Sequence, residues 1–255
     1  MKPVHLSAEG LCLARGQRVL FRDLRIELRS GEMVVMTGPN GAGKSSLLRA
    51  LIGLAPLRSG SLRLSIDGGV SAPIAPANLR SLCLVQGHAA GVKSELTAIE
   101  NLRLCAALDL PPVSGTPDEM QRAFPAPDLL ASDAAAAFDL ALERVGLMRQ
   151  RDIETRRLSQ GQKQRLQLAR FALACQNSHR PIWLMDEPSA ALDTQGSALL
   201  QTLLAEHLAR GGAALVATHL PLTAGPSPIR PLRLGETAPL ETSPVETTDT
   251  SLWTA

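Results

Sequence analysis

Between residues 38 and 46 the chain runs Gly-Pro-Asn-Gly-Ala-Gly-Lys-Ser-Ser, directly after the apolar stretch Met33-Val34-Val35-Met36. A strand, then G-x-x-x-x-G-K-[ST], then a helix is the pattern of a phosphate-binding loop. In isolation it could be a glycine-rich turn before a helix; the order of strand, loop and helix selects the phosphate reading. Gly38, Gly41 and Gly43 let the backbone curl with its N–H groups inward, so that the segment Gly38, Pro39, Asn40, Gly41, Ala42 and Gly43 forms a nest for a β-phosphate. Lys44 adds a point charge near the β- and γ-phosphates, and the Ser45 hydroxyl can ligate Mg²⁺. Ser46 follows in the first turn of a helix whose positive end reaches the same place. These residues predict binding of a nucleoside triphosphate with its Mg²⁺.

A second constellation is the apolar run Ile182-Trp183-Leu184-Met185 ending in Asp186-Glu187. Alone, an acidic pair is an ordinary strand end. Beside a phosphate loop, Asp186 can hold Mg²⁺ directly or through water. Glu187 can act as general base or water-positioner in line with the γ-phosphate, worth about 10²–10⁴ in rate. A third is Leu158-Ser159-Gln160-Gly161-Gln162, which opens a helix carrying Lys163, Arg165 and Arg170. Ser159 reads first as a plain N-cap. With the N–H groups beside Gly161 it also makes a second helix-end anion site. One nucleotide already has its phosphate loop, so Ser159, Gly161 and Gln162 predict a nucleotide held on a partner chain.

The elements that must position these groups follow from periodicity. Residues 4–13 and 18–28 read as strands of a small antiparallel sheet with Gly16 in the turn, followed by strand 33–37 and helix 44–53, which Gly53 and Pro56 end. Strand 61–66 precedes an exposed Gly/Pro/Ala-rich loop at 67–78, and 82–85 is another strand. A mainly helical stretch from about 96 to 176 is interrupted at 111–128 by Pro111, Pro112, Pro117, Pro125 and Pro127. Helices at 134–145 and 161–174, strand 182–185, helix 194–209 and strand 213–217 complete the pattern. Apolar runs alternating with helices indicate an α/β fold with a parallel sheet covered on both faces.

Composition narrows the partners. Net charge is +2, and aromatics are four Phe, two Trp and no Tyr, so neither a basic field nor stacking surfaces for nucleic acid are expected. Cys12, Cys83, Cys105 and Cys175 form no C-x-x-C pair, which suits a reducing compartment. None of His5, His88, His179, His207 and His219 belongs to a C-x-x-C-H site, so the chain is expected to bind no haem itself. The first residues lack the apolar stretch of a signal peptide, and no run of 18 apolar residues exists. Any membrane role is therefore expected to depend on partner subunits that carry the spans.

The order GPNGAGKSS, LSQGQ, WLMDEP, AALD and THLP resembles the ATP-binding cassette (ABC) ATPase family over about residues 4–235. The resemblance implies an α/β phosphate-loop ATPase with a mixed central sheet, a small antiparallel β subdomain and an inserted helical subdomain. It implies one nucleotide-binding domain at 1–236, with core 1–87 and 178–236 and helical part about 88–177; the tail at 237–255, rich in Thr, Pro, Ser and Glu, reads from its composition as disordered. It further implies a head-to-tail homodimer with two ATP molecules between one copy's phosphate loop and the other's signature sequence. Ala191-Leu192-Asp193 then couples the two sites, and His219 senses the γ-phosphate.

Three departures stand out. Gln160 replaces a glycine of the common LSGGQ signature. No aromatic falls near Ala14-Arg15-Gly16 to stack on adenine, and the Arg15 guanidinium is the candidate in its place. The coupling-loop glutamine falls at His88 by count, with Gln86 nearby; either could approach the Mg²⁺-bound water. The stretch GHAAGVKSELTAIENL is similar to the cytochrome c maturation (Ccm) subfamily of these ATPases, relative to which 67–78 and 111–131 look like insertions. That implies a peripheral subunit on the cytoplasmic face of the inner membrane, integral membrane permease partners, and haem delivery to a periplasmic chaperone. An ABC transporter ATPase for another cargo, and a soluble one acting on nucleic acid or ribosomes, are the alternatives. The second would need a long coiled-coil insertion or a second cassette, and neither is present.

Overall fold

A computed structural model describes residues 1–87, 91–108, 132–176 and 180–235. The proline-rich excursion, His88 and the tail from 237 lie outside the described residues. Two long strands, β1 (Val4–Arg15) and β2 (Arg18–Arg29), pair antiparallel; β4 (Ser59–Ile66) pairs with β1 on its other side, and β5 (Ala72–Pro73) with β4. The second sheet joins β3 (Met33–Thr37), β6 (Cys83–Gln86), β7 (Ile182–Asp186), β8 (Ala213–Ala217) and β9 (Ile229–Arg233) in the order β6-β7-β8-β3-β9. All of its pairings are parallel. The mixed character expected of the central sheet is thus divided between two hydrogen-bonded sheets, because the antiparallel strands pair only with one another.

Period-two alternation in the central strands builds two cores. Ile182 and Leu184 of β7, with Ala213, Leu215 and Ala217 of β8, face one apolar cluster; it also holds Leu47, Leu48 and Leu51 of α1 (Lys44–Leu51) and the inward side chains of β1. Trp183 and Met185, with Ala214 and Val216, face the other cluster, which the helices fill. These are α3 (Ala98–Leu108), α4 (Ser132–Arg144), α5 (Gln160–Gln176) and α6 (Thr194–Ala209); α2 (Pro76–Leu79) packs by α1. A strand buried on both faces has no polar positions to spare, which is why β7 and β8 read as unbroken apolar runs. At the centre of the second cluster the Trp183 ring stacks on His207, centroids 3.9 Å apart, and meets the edge of Phe171 at 4.7 Å. Burial pushes the His207 imidazole down to about 3, so it serves the core as a neutral ring.

The structure differs from the sequence reading in two places. The stretch 67–78 is not loop throughout, since it contains β5 and the start of α2. Strand β9 was not expected. Pro231 lies inside it, and an amide without an N–H is tolerated there because β9 is the sheet edge. Arg230 ties that edge down, donating to both Glu32 carboxylate oxygens, at 3.1 Å and 2.7 Å.

Candidate functional site

Strand β3 delivers the chain to Gly38, whose φ of 145° lies outside the range of ordinary side chains. A Cβ there would stand 2.3 Å from the Leu234 carbonyl oxygen. The exit of β9 is held at that spot because the Leu234 N–H donates to the Thr37 carbonyl at 2.9 Å. The loop therefore closes only with a hydrogen at position 38. Gly43, with φ of 102°, caps α1 without any side-chain acceptor, leaving the first N–H groups of the helix for a ligand.

Lys44 is buried, and its Nζ donates to the Gly38 carbonyl at 2.7 Å and the Pro39 carbonyl at 3.4 Å. It also lies 2.9 Å from Nε2 of His219, which follows β8. An ammonium only donates, so in this contact the ring nitrogen is the acceptor. The same Nε2 is 3.5 Å from Oε1 of Glu187. Glu187 has φ of 49°, a left-handed conformation costly for a residue with a side chain, and it is held there by its N–H donating to the Ala217 carbonyl at 2.8 Å. Asp186 is buried beside it at the end of β7.

These groups border one cavity of about 490 Å³. Asn40, Gly41, Gly43, Lys44, Ser45, Ser46, Asp186, Glu187 and His219 line one part of its wall, with Arg15, Arg18 and Leu20 from the β1–β2 hairpin. The Ser45 hydroxyl and Asp186 carboxylate are the oxygen donors a hard divalent cation takes. On the neighbouring strand Gln86 ends β6, level with Met185 and not itself lining the cavity, almost fully buried and with no hydrogen bond to either side-chain amide atom. An orphaned buried amide at that place suits a residue that contacts a metal-bound water. The residues present thus fit Mg²⁺.

The signature residues lie elsewhere. The Ser159 N–H donates to Gln162 Oε1 at 2.9 Å and the Gln162 N–H to Ser159 Oγ at 3.2 Å, a reciprocal capping box at the start of α5. Ser159, Gly161 and Gln162 line a separate cavity of about 300 Å³ with Arg165, Ala191 and Asp193, and none of the three lines the first. Arg165 Nη2 meets Asp193 Oδ2 at 2.5 Å, while Asp193 Oδ1 caps α6 by accepting from the Gly196 N–H at 2.7 Å. The Gly196 N–H, and after it Arg165, hold the Asp193 carboxyl below the usual range. Within one chain the phosphate loop and the signature do not meet.

Sequence reasoning missed Arg18 and Leu20 as cavity residues. The signal for Arg18 was the hairpin register, in which Arg15 and Arg18 face each other across the turn.

A family model described as ABC transporter matches residues 21–190. The cytochrome c biogenesis ATP-binding export protein CcmA of Pseudomonas putida (strain GB-1) is 40% identical over 235 residues, covering 92% of this chain and 99% of that protein. The protein of the same name from Dechloromonas aromatica (strain RCB) is 38% identical over 230 residues, 90% of this chain and 100% of the relative. A solved structure of the ATP binding subunit of an ABC transporter is 27% identical with a TM-score of 0.63, covering 84% of this chain and 79% of that one. With its phosphate loop, paired strand-end carboxylates and signature segment in the matching order, this chain belongs to the ABC transporter family as an ATP-binding cassette protein.

Proposed function

We propose that the chain is the ATP-hydrolysing subunit of an export complex that serves cytochrome c biogenesis by energising haem handover to a periplasmic chaperone. The observation that carries the ATPase part is the convergence of Lys44, Asp186, Glu187 and His219 on the cavity of the phosphate loop. The cargo part rests on the export role that the names of the P. putida and D. aromatica relatives state.

The residues divide the work by position. ATP enters with its phosphates in the loop, and Lys44 exchanges its bonds to the Gly38 and Pro39 carbonyls and to His219 for phosphate oxygens. That frees the His219 ring for the γ-phosphate. Glu187 orients the attacking water and accepts its proton. Ser45 and Asp186 would hold Mg²⁺ directly, and Gln86 or His88 would reach it through water; when bound, the ion would supply charge neutralisation at the phosphates. Because Ser159, Gly161 and Gln162 stand apart from this cavity, they complete the site of a second copy in a head-to-tail dimer. Ala191-Leu192-Asp193 joins the two sites.

No helix among the described residues is long and apolar enough to cross a membrane. Integral membrane subunits then carry the cargo path, with this chain peripheral on the cytoplasmic face. The domain is best divided into a core of 1–87 and 178–236 and a helical part of about 88–177 that meets those partners.

Tagged Glu187→Gln protein, retained in its native membranes with ATP and recovered in mild detergent, tests the whole reading. An ATP-loaded dimer with turnover reduced about 10²–10⁴-fold is expected, together with the membrane subunits of cytochrome c maturation. Normal hydrolysis would remove Glu187 from its role. A different permease would keep the ATPase and replace the cargo, and ribosomal or DNA-repair partners would overturn the transporter reading.

A further inference from the structure

A further cavity, of about 460 Å³, lies on the antiparallel sheet, and Cys12, Arg22, Asp23, Arg58 and Ser59 line it. It shares no lining residue with the phosphate-loop cavity or with that of the signature segment. Irregular pairing shapes it. Leu11 and Leu13 of β1 are buried in the core, so Cys12 between them faces the other way, half-buried. The pairing of β1 slips between Leu11 and Leu13 against β2 and between Glu9 and Cys12 against β4. Such a bulge bends its strand and re-aims a side chain. Here it sets Cys12 level with Ser59, where the Arg58 N–H donates to the Cys12 carbonyl at 2.9 Å.

The charges around the thiol are open to a ligand. Arg29 and Arg230 have carboxylates, Glu27 and Glu32. Arg22, Asp23 and Arg58 are exposed, and none of the three forms an ion pair among the described residues; Arg58 donates from Nη2 to the Gly16 carbonyl at 3.3 Å. Two guanidinium groups suit carboxylates, and the Asp23 carboxylate suits an ammonium. The thiols themselves differ in reach. Burial pushes Cys83 up to about 12 and Cys175 up to about 11, which leaves both inert. Cys105 is half-buried like Cys12, but it stands on α3, away from this cavity.

We propose that this cavity is a modification site at which Cys12 exchanges with a small disulfide that carries carboxylate and ammonium groups, of the amino-acid or short-peptide class. The Cys12 thiolate attacks one sulfur of RS–SR. The bond from Cys12 to that sulfur forms as the RS–SR bond breaks, and the released RS⁻ takes up the proton that Cys12 gave up. Cys12 is oxidised and the departing sulfur is reduced, so the disulfide is the only oxidant needed. In a reducing compartment the bond reverses by the same exchange with a thiol.

The test exposes the reduced full chain, at neutral pH and low ionic strength, to three symmetrical disulfides. Glutathione disulfide carries carboxylates and ammonium groups, cystamine carries ammonium groups only, and 2-hydroxyethyl disulfide is uncharged. Peptide mass spectrometry gives the rate at each cysteine, divided by that of 2-mercaptoethanol with the same reagent. With glutathione disulfide Cys12 is expected to exceed Cys105 by about tenfold, and to favour that reagent over cystamine by about tenfold. Arg22→Ala and Arg58→Ala should each cut the preference by about threefold, and added salt should erode it. Arg22→Glu should turn it toward cystamine, a gain that misfolding does not produce. Cys12 no faster than Cys105, equal rates for the three reagents, or a preference that the arginine variants leave unchanged would each overturn the proposal. No nucleotide is present, so the outcome is independent of the ATPase reading.

Discussion

The loop before α1 and the segment before α5 each aim a helix N-terminus at the place of a phosphate, yet they are held on different terms. The first is strained and closed on itself: Gly38 at φ 145°, Gly43 at φ 102°, Glu187 at φ 49°, and a buried lysine bonded to the loop's own carbonyls. Its surroundings over-determine it, down to the Leu234 carbonyl that excludes any side chain at position 38. The second is relaxed at its helix end, the left-handed residue nearby being Ala191 at φ 61° in the adjoining loop. Its capping box satisfies Ser159 and Gln162 mutually, on an exposed surface, and its neighbour Asp193 is a conventional helix cap. A strained, preformed loop can grip a triphosphate alone. A satisfied, open helix end gains only when a phosphate is presented to it, which suits a surface that completes another copy's site.

The sharpest way to break this contrast is to deny the first surface its geometry. Gly38→Ala puts a methyl group into the Leu234 carbonyl and an alanine into a conformation it rarely adopts, so a stability loss of about 3 kcal/mol or more and loss of ATP binding are expected. Denaturant unfolding with calorimetry measures both; an unchanged midpoint would mean that the loop is free to shift and that the contrast is false. Lys44→Ala leaves the backbone alone and removes one charge-assisted contact, worth roughly 1.5–3 kcal/mol. ATP should bind about tenfold more weakly or worse, and near-normal affinity would count against the phosphate-loop assignment.

The second surface should respond in the opposite way. At Gly161 an added Cβ meets only the Ala191 carbonyl, at an ordinary 3.6 Å, so Gly161→Asp is expected to fold and to place a carboxylate where a phosphate should come. The single chain's ATP affinity should stay within about twofold while turnover collapses, because the change lies outside the chain's own phosphate cavity. Mixing that variant with Lys44→Ala sharpens the test. In a head-to-tail pair one composite site carries both defects and the other carries none, so mixed dimers should regain turnover that neither variant has alone. Mixed dimers that form and stay inactive would refute the division of labour.

How legible all this was in the sequence depended on whether a feature is local. The phosphate loop is contiguous and its glycines, lysine and serine carry the mechanism in order, so residues 38–46 could be read directly. Strands β7 and β8 were legible because burial on both faces leaves an apolar run, and α6 because of its amphipathic periodicity over 194–209, whereas the cap at Asp193 emerged only in the structure. What depends on pairing was not visible. Pro231 argues against a strand until β9 is seen at the sheet edge. Arg18 looks like any surface arginine until the hairpin register sets it against Arg15. Gln86 was legible only as one of two candidates, and the burial that leaves its amide without partners was not.

The smallest effect distinguishes what Asp193 does through α6 from what it does through the signature helix. Its Oδ1 caps α6 and its Oδ2 meets Arg165, so Arg165→Ala removes one contact and Asp193→Ala removes both. An exposed ion pair contributes little and a helix cap more. Melting should therefore fall by about 1 °C for Arg165→Ala and by about 2–4 °C for Asp193→Ala. The sign with pH follows from the carboxyl being held below its usual range: the contribution is complete above the unfolded value of about 3.9 and is lost as pH falls through the folded one. The gap between wild type and Asp193→Ala should persist at neutral pH and close on acidification. Equal shifts for the two variants would show that the bridge, not the cap, holds the turn, and the signature face would then be as tightly tied as the phosphate loop it has been set against.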